Sequence, residues 1–425
     1  MIRQLVIICS ALIIFSCSTS EKEQRQRIPD GTYRPSGFHA FISHGEGNTP
    51  ISLIKVDSIY HLFYTTGTDE WGHLSSNDLL NWKADISFPI AAHGNGAVIW
   101  DDKNFTGFNS PWNIIVSDGD QLSLSYSQDG VDWIEFEDNP ILTTKGNPSV
   151  SWSSDLEEWI LTITKENEVS FYSSQNLIEW KKYSSVSLND LASKSSLLNL
   201  EGQWILLSQK EKLNYQMISF DGSTFQTVGD PVYLDGCNTD FGALLITEEN
   251  TAFISKNRTT NPQLPTFSTP LSISLSDGRL NLNPSITFQS QIIGKRRAKL
   301  SKLLTDGPSW YNFTIEESFE ELEIVLSDNT SEVRILWNVT SQKMIITGSA
   351  LPSNEIIELN LQSEISPENL MTDILIDHAS VDLFFNKGAF ATSILTLPDS
   401  FFSKVEVYLD KENYDAKAVL YDIGI

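Results

Sequence analysis

The sequence predicts a nearly all-β protein whose N-terminal part is a β-propeller. No stretch longer than a few residues keeps the apolar period of a surface helix. Short alternating runs rich in Val, Ile, Phe, Tyr and Trp are instead separated by Gly, Asn, Asp and Ser turns, which is typical of β-strands. Examples are Tyr60 to Tyr64, Trp159 to Thr164, Trp204 to Ser208 and Val333 to Trp337.

A repeat of a polar turn followed by a large aromatic residue indicates the propeller. Ser76-Asn77-Asp78 leads to Trp82, and similar turns lead to Trp133, Trp180 and Phe225, at intervals of 51, 47 and 45 residues. Each blade is a small antiparallel sheet, which needs turns to reverse the chain and large rings to fill the wedge between neighbouring sheets. A period of this length therefore predicts propeller blades.

The net charge of the chain limits the classes of partner that it can bind. The 425 residues include 29 Lys and Arg against 55 Asp and Glu, a formal net charge of -26. A surface this negative repels phosphate backbones, so we expect no nucleic-acid partner. A neutral ligand such as a sugar is not repelled. The length is sufficient for two domains, each with its own core.

The first residues resemble a bacterial lipoprotein signal. An apolar run from Leu5 to Phe15 follows Arg3 and ends just before Cys17. The run is short for a membrane-spanning helix and predicts a signal peptide over residues 1–17. Cys17 is then the predicted lipidation site. The alternative is an ordinary signal peptide with an incidental cysteine.

This interpretation predicts an exported, membrane-anchored bacterial lipoprotein, with the outer membrane favoured and the facing side open. Residues 18–34 would form a flexible tether. Once Cys9 has left with the signal and Cys17 is acylated, Cys237 remains alone, so no intrachain disulfide is expected.

The segment from Phe38 to Trp82 carries the most specific motifs. Asn48-Thr49-Pro50 precedes a Tyr-His-Leu-Phe-Tyr run at residues 60–64, and Trp71-Gly72-His73 follows. This series resembles the first blade of glycoside hydrolase family 32, the fructan- and sucrose-cleaving enzymes. In that family an Asn-Asp-Pro-Asn-Gly segment precedes the same strand.

The resemblance extends over nearly the whole chain beyond the signal. Asn104 to Phe108 looks like part of the family's second blade, and Asn139 to Leu142 is similar to the segment that leads into its second catalytic motif. Asp373 to Phe385 is similar to the family's C-terminal signature Asp-X-Ser-Ser-Val-Glu-Val-Phe. The resemblance implies a five-bladed β-propeller over residues 35–285 and a C-terminal β-sandwich over residues 286–425.

The positions that match the family's catalytic carboxylates are occupied by uncharged residues in this sequence. Retaining glycosidases need a carboxylate nucleophile and a carboxylic acid/base about 5 Å apart. The resemblance places the nucleophile at Thr49, the transition-state stabiliser at Asn147 within Gly-Asn-Pro, and the acid/base at Ser193. A lone hydroxyl is a poor nucleophile, the asparagine carries no charge, and serine cannot protonate a glycosidic oxygen at neutral pH.

Two nearby carboxylates are possible substitutes. Glu46 lies three residues before Thr49, and Asp190 lies three residues before Ser193. A three-residue slip on a strand reverses the face to which a side chain points, although a loop or a bulge could restore it. This alternative stays open at the sequence level.

Four residues are predicted to bind substrate: Asn48, Trp71, Asn95 and Asp240. In the family, a tryptophan near the first-blade loop belongs to the sugar pocket. Packing between blades is the alternative for Trp71, and capping a turn is the alternative for Asp240. No His, Asp and Glu cluster has metal-ligand spacing and no phosphate-binding loop is present, so neither a metal nor another cofactor is predicted.

The sequence favours a degenerate family 32-like lipoprotein of fructan or sucrose metabolism, which binds β-fructosides without normal hydrolysis. Its predicted partner is a neutral oligo- or polysaccharide. One alternative is an active retaining β-fructofuranosidase or related glycosidase that uses displaced carboxylates. A second alternative is a scaffold propeller without a sugar site. The oligomeric state is left open.

Overall fold

Five antiparallel sheets follow one another along the first two-thirds of the computed structural model. The described residues are 48–66, 70–84, 94–188, 192–209, 213–234, 239–246, 251–257, 267–276, 278–352, 356–361 and 365–424. The segments predicted to be a signal peptide and a tether lie outside these ranges, as do Cys17, Glu46 and Asp190. No helix within these ranges is long and apolar enough to cross a membrane.

Each of these sheets is built from consecutive strands. Their bounds are β1 (Pro50–Val56), β2 (Ile59–Thr65), β3 (Trp71–Ser76) and β4 (Lys83–Ala84); β5 (Gly96–Trp100), β6 (Trp112–Asp118), β7 (Gln121–Ser127), β8 (Ile134–Glu135) and β9 (Leu142–Thr143); β10 (Asn147–Ser153), β11 (Glu158–Lys165), β12 (Glu168–Ser174) and β13 (Lys181–Ser187); β14 (Lys194–Leu200), β15 (Gln203–Gln209), β16 (Leu213–Phe220) and β17 (Phe225–Tyr233); β18 (Thr239–Ile246), β19 (Thr251–Asn257), β20 (Leu271–Ser276) and β21 (Arg279–Pro284).

The five sheets close into a ring and form the blades of a propeller. The first strand of each blade contacts the first strand of the next, from β1 through β5, β10 and β14 to β18, and β18 contacts β1 again. These first strands are therefore the innermost ones. The predicted propeller and its five blades are confirmed.

Polar side chains fix the repeated blade turns as the sequence pattern predicts. In the first blade, Asp78 Oδ1 accepts backbone hydrogen bonds from Leu80 (2.9 Å) and Asn81 (2.7 Å). Asp129, Asn176 and Asp221 accept equivalent bonds in the next three blades. Such side chains stabilise turns by imitating a backbone acceptor.

The aromatic residues that end the repeat differ from one another in burial. Phe225 is fully buried, whereas Trp82, Trp133 and Trp180 are only partly buried. The indole Nε1 of Trp133 donates to the carbonyl of its own turn at 3.0 Å. Most of the wedge between blades is therefore filled by strand residues, and the tryptophans cover its outer rim.

Every pair of neighbouring blades shares a buried hydrophobic cluster. Blade five packs on blade one, for example, through Phe267 and Tyr64, whose rings lie 5.6 Å apart. Each fully buried Leu or Phe of this kind contributes about 1.5–3 kcal/mol. Side-chain packing therefore helps to hold the ring closed; within the described ranges, the first and last blades share no strand.

Two six-stranded sheets form the C-terminal part, which follows a short helix α1 (Thr287–Ser290). The strands are β22 (Ile292–Lys299), β23 (Ser309–Ile315), β24 (Glu321–Ser327), β25 (Glu332–Asn338), β26 (Lys343–Thr347), β27 (Ile357–Asn360), β28 (Leu370–Ile376), β29 (Ser380–Phe385), β30 (Phe390–Leu395), β31 (Lys404–Leu409), β32 (Glu412–Asn413) and β33 (Lys417–Ile423), with a 3₁₀ turn at Leu300–Lys302.

The two sheets pack face to face as a β-sandwich. The first has the order β22-β33-β23-β28-β29-β30 and the second β27-β26-β25-β24-β31-β32. Burial alternates along β23 and β25, as expected for strands with one face toward the core. The predicted sandwich is confirmed.

Strand β29 is buried on both faces because it lies between the two domains. Phe385 belongs to the sandwich core, whereas Phe384 belongs to a cluster shared with the propeller. Asp382 Oδ2 accepts a hydrogen bond of 2.5 Å from Thr269 Oγ1 in the fifth blade. The segment resembling the family signature therefore forms the centre of the domain interface.

Candidate functional site

The predicted site residues lie at the start of the innermost strands. Thr49 precedes β1, Asn95 precedes β5, Asn147 is the first residue of β10, Ser193 precedes β14, and Asp240 is the second residue of β18. Since every blade begins at its innermost strand, these strand starts meet at one end of the propeller axis. The fold thus brings together positions that are far apart in the sequence.

A chain of hydrogen bonds connects three of these strand starts. Asn95 Nδ2 donates to Asn147 Oδ1 at 2.7 Å. Asn147 Nδ2 in turn donates to the backbone carbonyl of Ser193. The Ser193 backbone N–H and its hydroxyl both donate to the carbonyl oxygen of Gln209, each at 2.8 Å. Asn147 therefore links the second, third and fourth blades through one amide group.

The first blade supplies two further polar groups. The Thr49 backbone N–H donates to Thr65 Oγ1 (3.0 Å), and the Thr65 N–H donates to the Thr49 carbonyl (2.9 Å). Asn48 is only 4% exposed, and its Oδ1 has no hydrogen-bond partner within the described ranges. A buried amide oxygen without a partner loses about 1–3 kcal/mol of solvation. It would gain a bond from a ligand hydroxyl placed beside it.

Lys194, the first residue of β14, reaches across the ring. Its Nζ donates to the backbone carbonyl of Ile51 in β1 at 2.8 Å. The fourth and first blades are not neighbours, because the fifth lies between them, so this side chain spans the inner part of the propeller. Burial lowers the pKa of Lys194 to about 8, because desolvation disfavours the charged form.

Sequence reasoning missed Lys194. Its segment, Ala192-Ser193-Lys194-Ser195, shows no apolar pattern that would mark the lysine as an inward-facing residue. Only the closure of the ring brings it to Ile51, which lies 143 residues earlier in the chain. The one feature of the sequence that could have marked Lys194 as a site residue is its position directly after Ser193.

Trp71 packs between the first two blades. The ring is 4% exposed, and its Nε1 donates to the Gly94 carbonyl at 3.1 Å. A Cβ placed on Gly96 would lie 2.4 Å from the ring, so glycine at this position permits the contact. This environment matches the blade-packing alternative, while stacking of Trp71 on a sugar stays a prediction.

The strand starts carry amide, hydroxyl and ammonium groups and no carboxylate, among the side chains that the structure describes. Asp240 belongs to β18, but its side chain is outside that set, as are Glu46 and Asp190 altogether. That Thr49, Asn147 and Ser193 replace the family's catalytic carboxylates stays a prediction. In the same described part of the chain, no group of three or more His, Cys, Asp and Glu could hold a metal ion.

The chain thus combines a five-bladed propeller and a β-sandwich, with polar groups gathered at one end of the propeller axis. Residues 39–198 match the model of the glycosyl hydrolases family 32 N-terminal domain, and residues 280–422 match that of the family 32 C-terminal domain. The chain belongs to glycoside hydrolase family 32.

Individual relatives are distant. The chain is 27% identical to an invertase of Schizosaccharomyces pombe over 37% of its own length and 36% of that protein. It is 28% identical to a fructan beta-fructosidase of Streptococcus mutans over 34% of its length and 12% of that protein. The matched stretches thus span well under half of these relatives.

Solved structures show the same fold over nearly the full length. A fructofuranosidase from Schwanniomyces occidentalis, in complex with fructose, has a TM-score of 0.74 at 17% identity and covers 92% of this chain and 99% of its own. An exo-inulinase from Aspergillus awamori has a TM-score of 0.73 at 19% identity, with coverage of 91% and 98%. At this identity the likeness establishes the fold.

Proposed function

We propose that this protein is a member of family 32 that binds β-fructoside carbohydrates without the hydrolysis usual in the family. One observation carries the proposal: the uncharged amide of Asn147 occupies the centre of the strand-start network, between Asn95 and Ser193. The motif resemblance in the sequence matches this position to a carboxylate of the family. An amide can donate to and accept from sugar hydroxyls.

The chemistry of these groups favours binding over catalysis. Retaining hydrolysis needs two carboxylates and passes through a transition state with positive charge on the sugar ring. Thr49, Asn147 and Ser193 supply no negative charge to oppose it. Below pH about 8 the ammonium of Lys194 adds a positive charge to the same ring of strands, which raises the energy of such a transition state.

Known complexes support the choice of ligand. A Schwanniomyces occidentalis fructofuranosidase has been solved with fructose and with fructosyl-erythritol, and a fructan 1-exohydrolase from Cichorium intybus with 1-kestose. The chain shares the fold of these proteins. We therefore propose sucrose, short fructans or longer fructans as its ligands.

Binding and hydrolysis should be measured on the same sample. We expect calorimetry to show heat of binding with 1-kestose or inulin, and fructose release to stay at the level of a protein-free control. Release of fructose that Glu46→Gln or Asp190→Asn abolishes would contradict the proposal and assign an active β-fructofuranosidase. Absence of both heat and fructose would contradict it as well, in favour of a scaffold without a sugar site.

We further propose that Cys17 carries a lipid anchor. The apolar run before it and the polar segment after it support this proposal. We expect the native chain, expressed in a bacterium, to sediment with membranes and to incorporate labelled palmitate. Cys17→Ser should abolish the labelling, whereas Cys9→Ser should leave it intact. Equal labelling of both variants, or of neither, would exclude lipidation at Cys17.

A further inference from the structure

One face of the first sandwich sheet is only partly covered by the propeller. Cross-strand neighbours share a face of the sheet, and Lys295 pairs with Tyr421, which pairs with Trp310. Two residues further along β22, and so on the same face, Arg297 pairs with Val419, which pairs with Asn312. The same face bears Ile423, Leu375 and Phe384, which are buried in a cluster with propeller residues.

We call the part of this face beside that cluster the basic shelf; its cations are exposed, whereas Trp310 and Tyr421 are half-buried and pack against the cluster. It consists of two aromatic residues, an amide, a carboxylate and four cations: Trp310, Tyr421, Asn312, Asp373, Lys295, Arg297, Lys299 and Lys417. All four cations are exposed. Alternate residues of a strand lie about 7 Å apart, so Lys295, Arg297 and Lys299 form a regularly spaced row.

The charge of the shelf is opposite to that of the whole chain, whose formal net charge is -26. Lys299 Nζ lies 3.8 Å from Asp415, and Lys295 Nζ lies 5.0 Å from the centre of the Tyr421 ring. Arg297 and Lys417 form no ion pair with any described residue. Arg296 faces the other side of the strand and is paired with Asp422 at 2.6 Å. Among the described residues, Arg297 and Lys417 are therefore the shelf cations that no acid of this chain neutralises, whereas Lys299 is paired with Asp415.

The aromatic residues of the shelf are held in a fixed arrangement. The Trp310 and Tyr421 rings lie 5.2 Å apart at 40°. Asp373 Oδ1 accepts hydrogen bonds from Trp310 Nε1 (2.8 Å) and Asn312 Nδ2 (2.7 Å), which orient the indole. Burial raises the pKa of Asp373, because desolvation disfavours its charged form. Ring faces of this kind cover apolar surface while their polar edges stay hydrogen-bonded.

We propose that the basic shelf binds an anionic polysaccharide, whose acidic groups pair with Lys295, Arg297 and Lys417 and whose sugar rings lie on Trp310 and Tyr421. The occupant is a flexible polymer and not a membrane, because the acidic propeller rises on the same face and would meet a flat bilayer first. This site is separate from the strand-start network and does not depend on the proposed binding of fructosides.

Polygalacturonate is the probe for the first test, with calorimetry on the full chain at low and moderate salt. We expect binding that weakens as salt increases, because salt screens exposed charges. Arg297→Gln with Lys417→Gln should lower the affinity about five- to tenfold, as expected for the loss of two exposed ion pairs. The matched control, Lys181→Gln with Lys343→Gln, removes the same charge elsewhere and should change the affinity less than about twofold.

A second variant separates stacking from charge. Tyr421→Leu keeps every cation of the shelf and should weaken binding of polygalacturonate without changing the slope of its salt dependence. Thermal unfolding checks that the variant is folded, and neutral inulin should bind it as it binds the native chain. Equal loss in both double variants, or no binding of polygalacturonate at low salt, would overturn the proposal. Binding of phosphatidylglycerol vesicles alone, reduced by the shelf variant, would assign the shelf to a membrane instead.

Discussion

Asn147→Leu is expected to lower the affinity for 1-kestose or inulin at least about 30-fold, since about 2 kcal/mol or more of hydrogen bonding is lost. Leucine has a similar size but no polar atoms. It removes the amide available to the ligand, and it leaves Asn95 Nδ2 and the Ser193 carbonyl without the partner that positions them. Titration calorimetry at constant pH measures the effect directly.

Asn199→Leu is the matched control for this change. Asn199 also lies on an innermost strand, but near the opposite end of β14, where its Nδ2 donates to Asp155 at 2.7 Å. We expect it to alter the affinity less than about twofold, since it is remote from the strand starts. A similar loss of affinity in both variants would mean that the amide of Asn147 supports the fold and not the ligand.

Lys194→Met is expected to remove a rise in stability at alkaline pH. The ordinary pKa of lysine is 10.5, and burial lowers that of Lys194 to about 8 in the folded chain. Between these values the unfolded chain binds more protons, so the free energy of unfolding increases with pH. The full shift corresponds to about 3 kcal/mol, gained from pH 8 upward and complete near pH 10.5.

Urea unfolding of the native chain and the variant at pH 7, 8, 9 and 10 measures this prediction. The difference between the two curves isolates Lys194, because other titrating groups are common to both. Lys181→Met, at an exposed lysine of β13, should give a curve parallel to that of the native chain. Parallel curves for Lys194→Met would show that the ammonium is solvated and does not span a desolvated ring.

Much of the fold could be predicted because the relevant signals are local. The Ser-x-Asp or Ser-x-Asn turn recurs in the first four blades, and the side chains that formed the pattern do accept the turn hydrogen bonds. Alternation along β23 and β25 likewise reflects the two faces of a sandwich sheet. Patterns of this kind can be recognised from a few neighbouring residues of the sequence.

The site could be predicted only in part, because its contacts are long-range. Family spacing marked Thr49, Asn147 and Ser193, and the structure places them at one end of the axis. The motif spacing in the sequence could not reveal that Asn147 bonds to Asn95 and Ser193, nor that Lys194 reaches Ile51. Those contacts depend on the closed ring of blades. The partial burial of Trp82 has the same origin: neighbouring blades, and not the strand itself, determine which rings are covered.

The cluster shared by the two domains bears on the order in which the molecule can be assembled. It contains Leu80 from the first blade, Leu198 from the fourth, Phe253 from the fifth and Phe384 from the sandwich. The sandwich therefore packs against the side of the propeller where the first, fourth and fifth blades meet. During synthesis the five blades emerge before the part that secures them. A chain shortened to its blades would expose the apolar residues of this cluster, so we expect the C-terminal third to be needed for a soluble propeller.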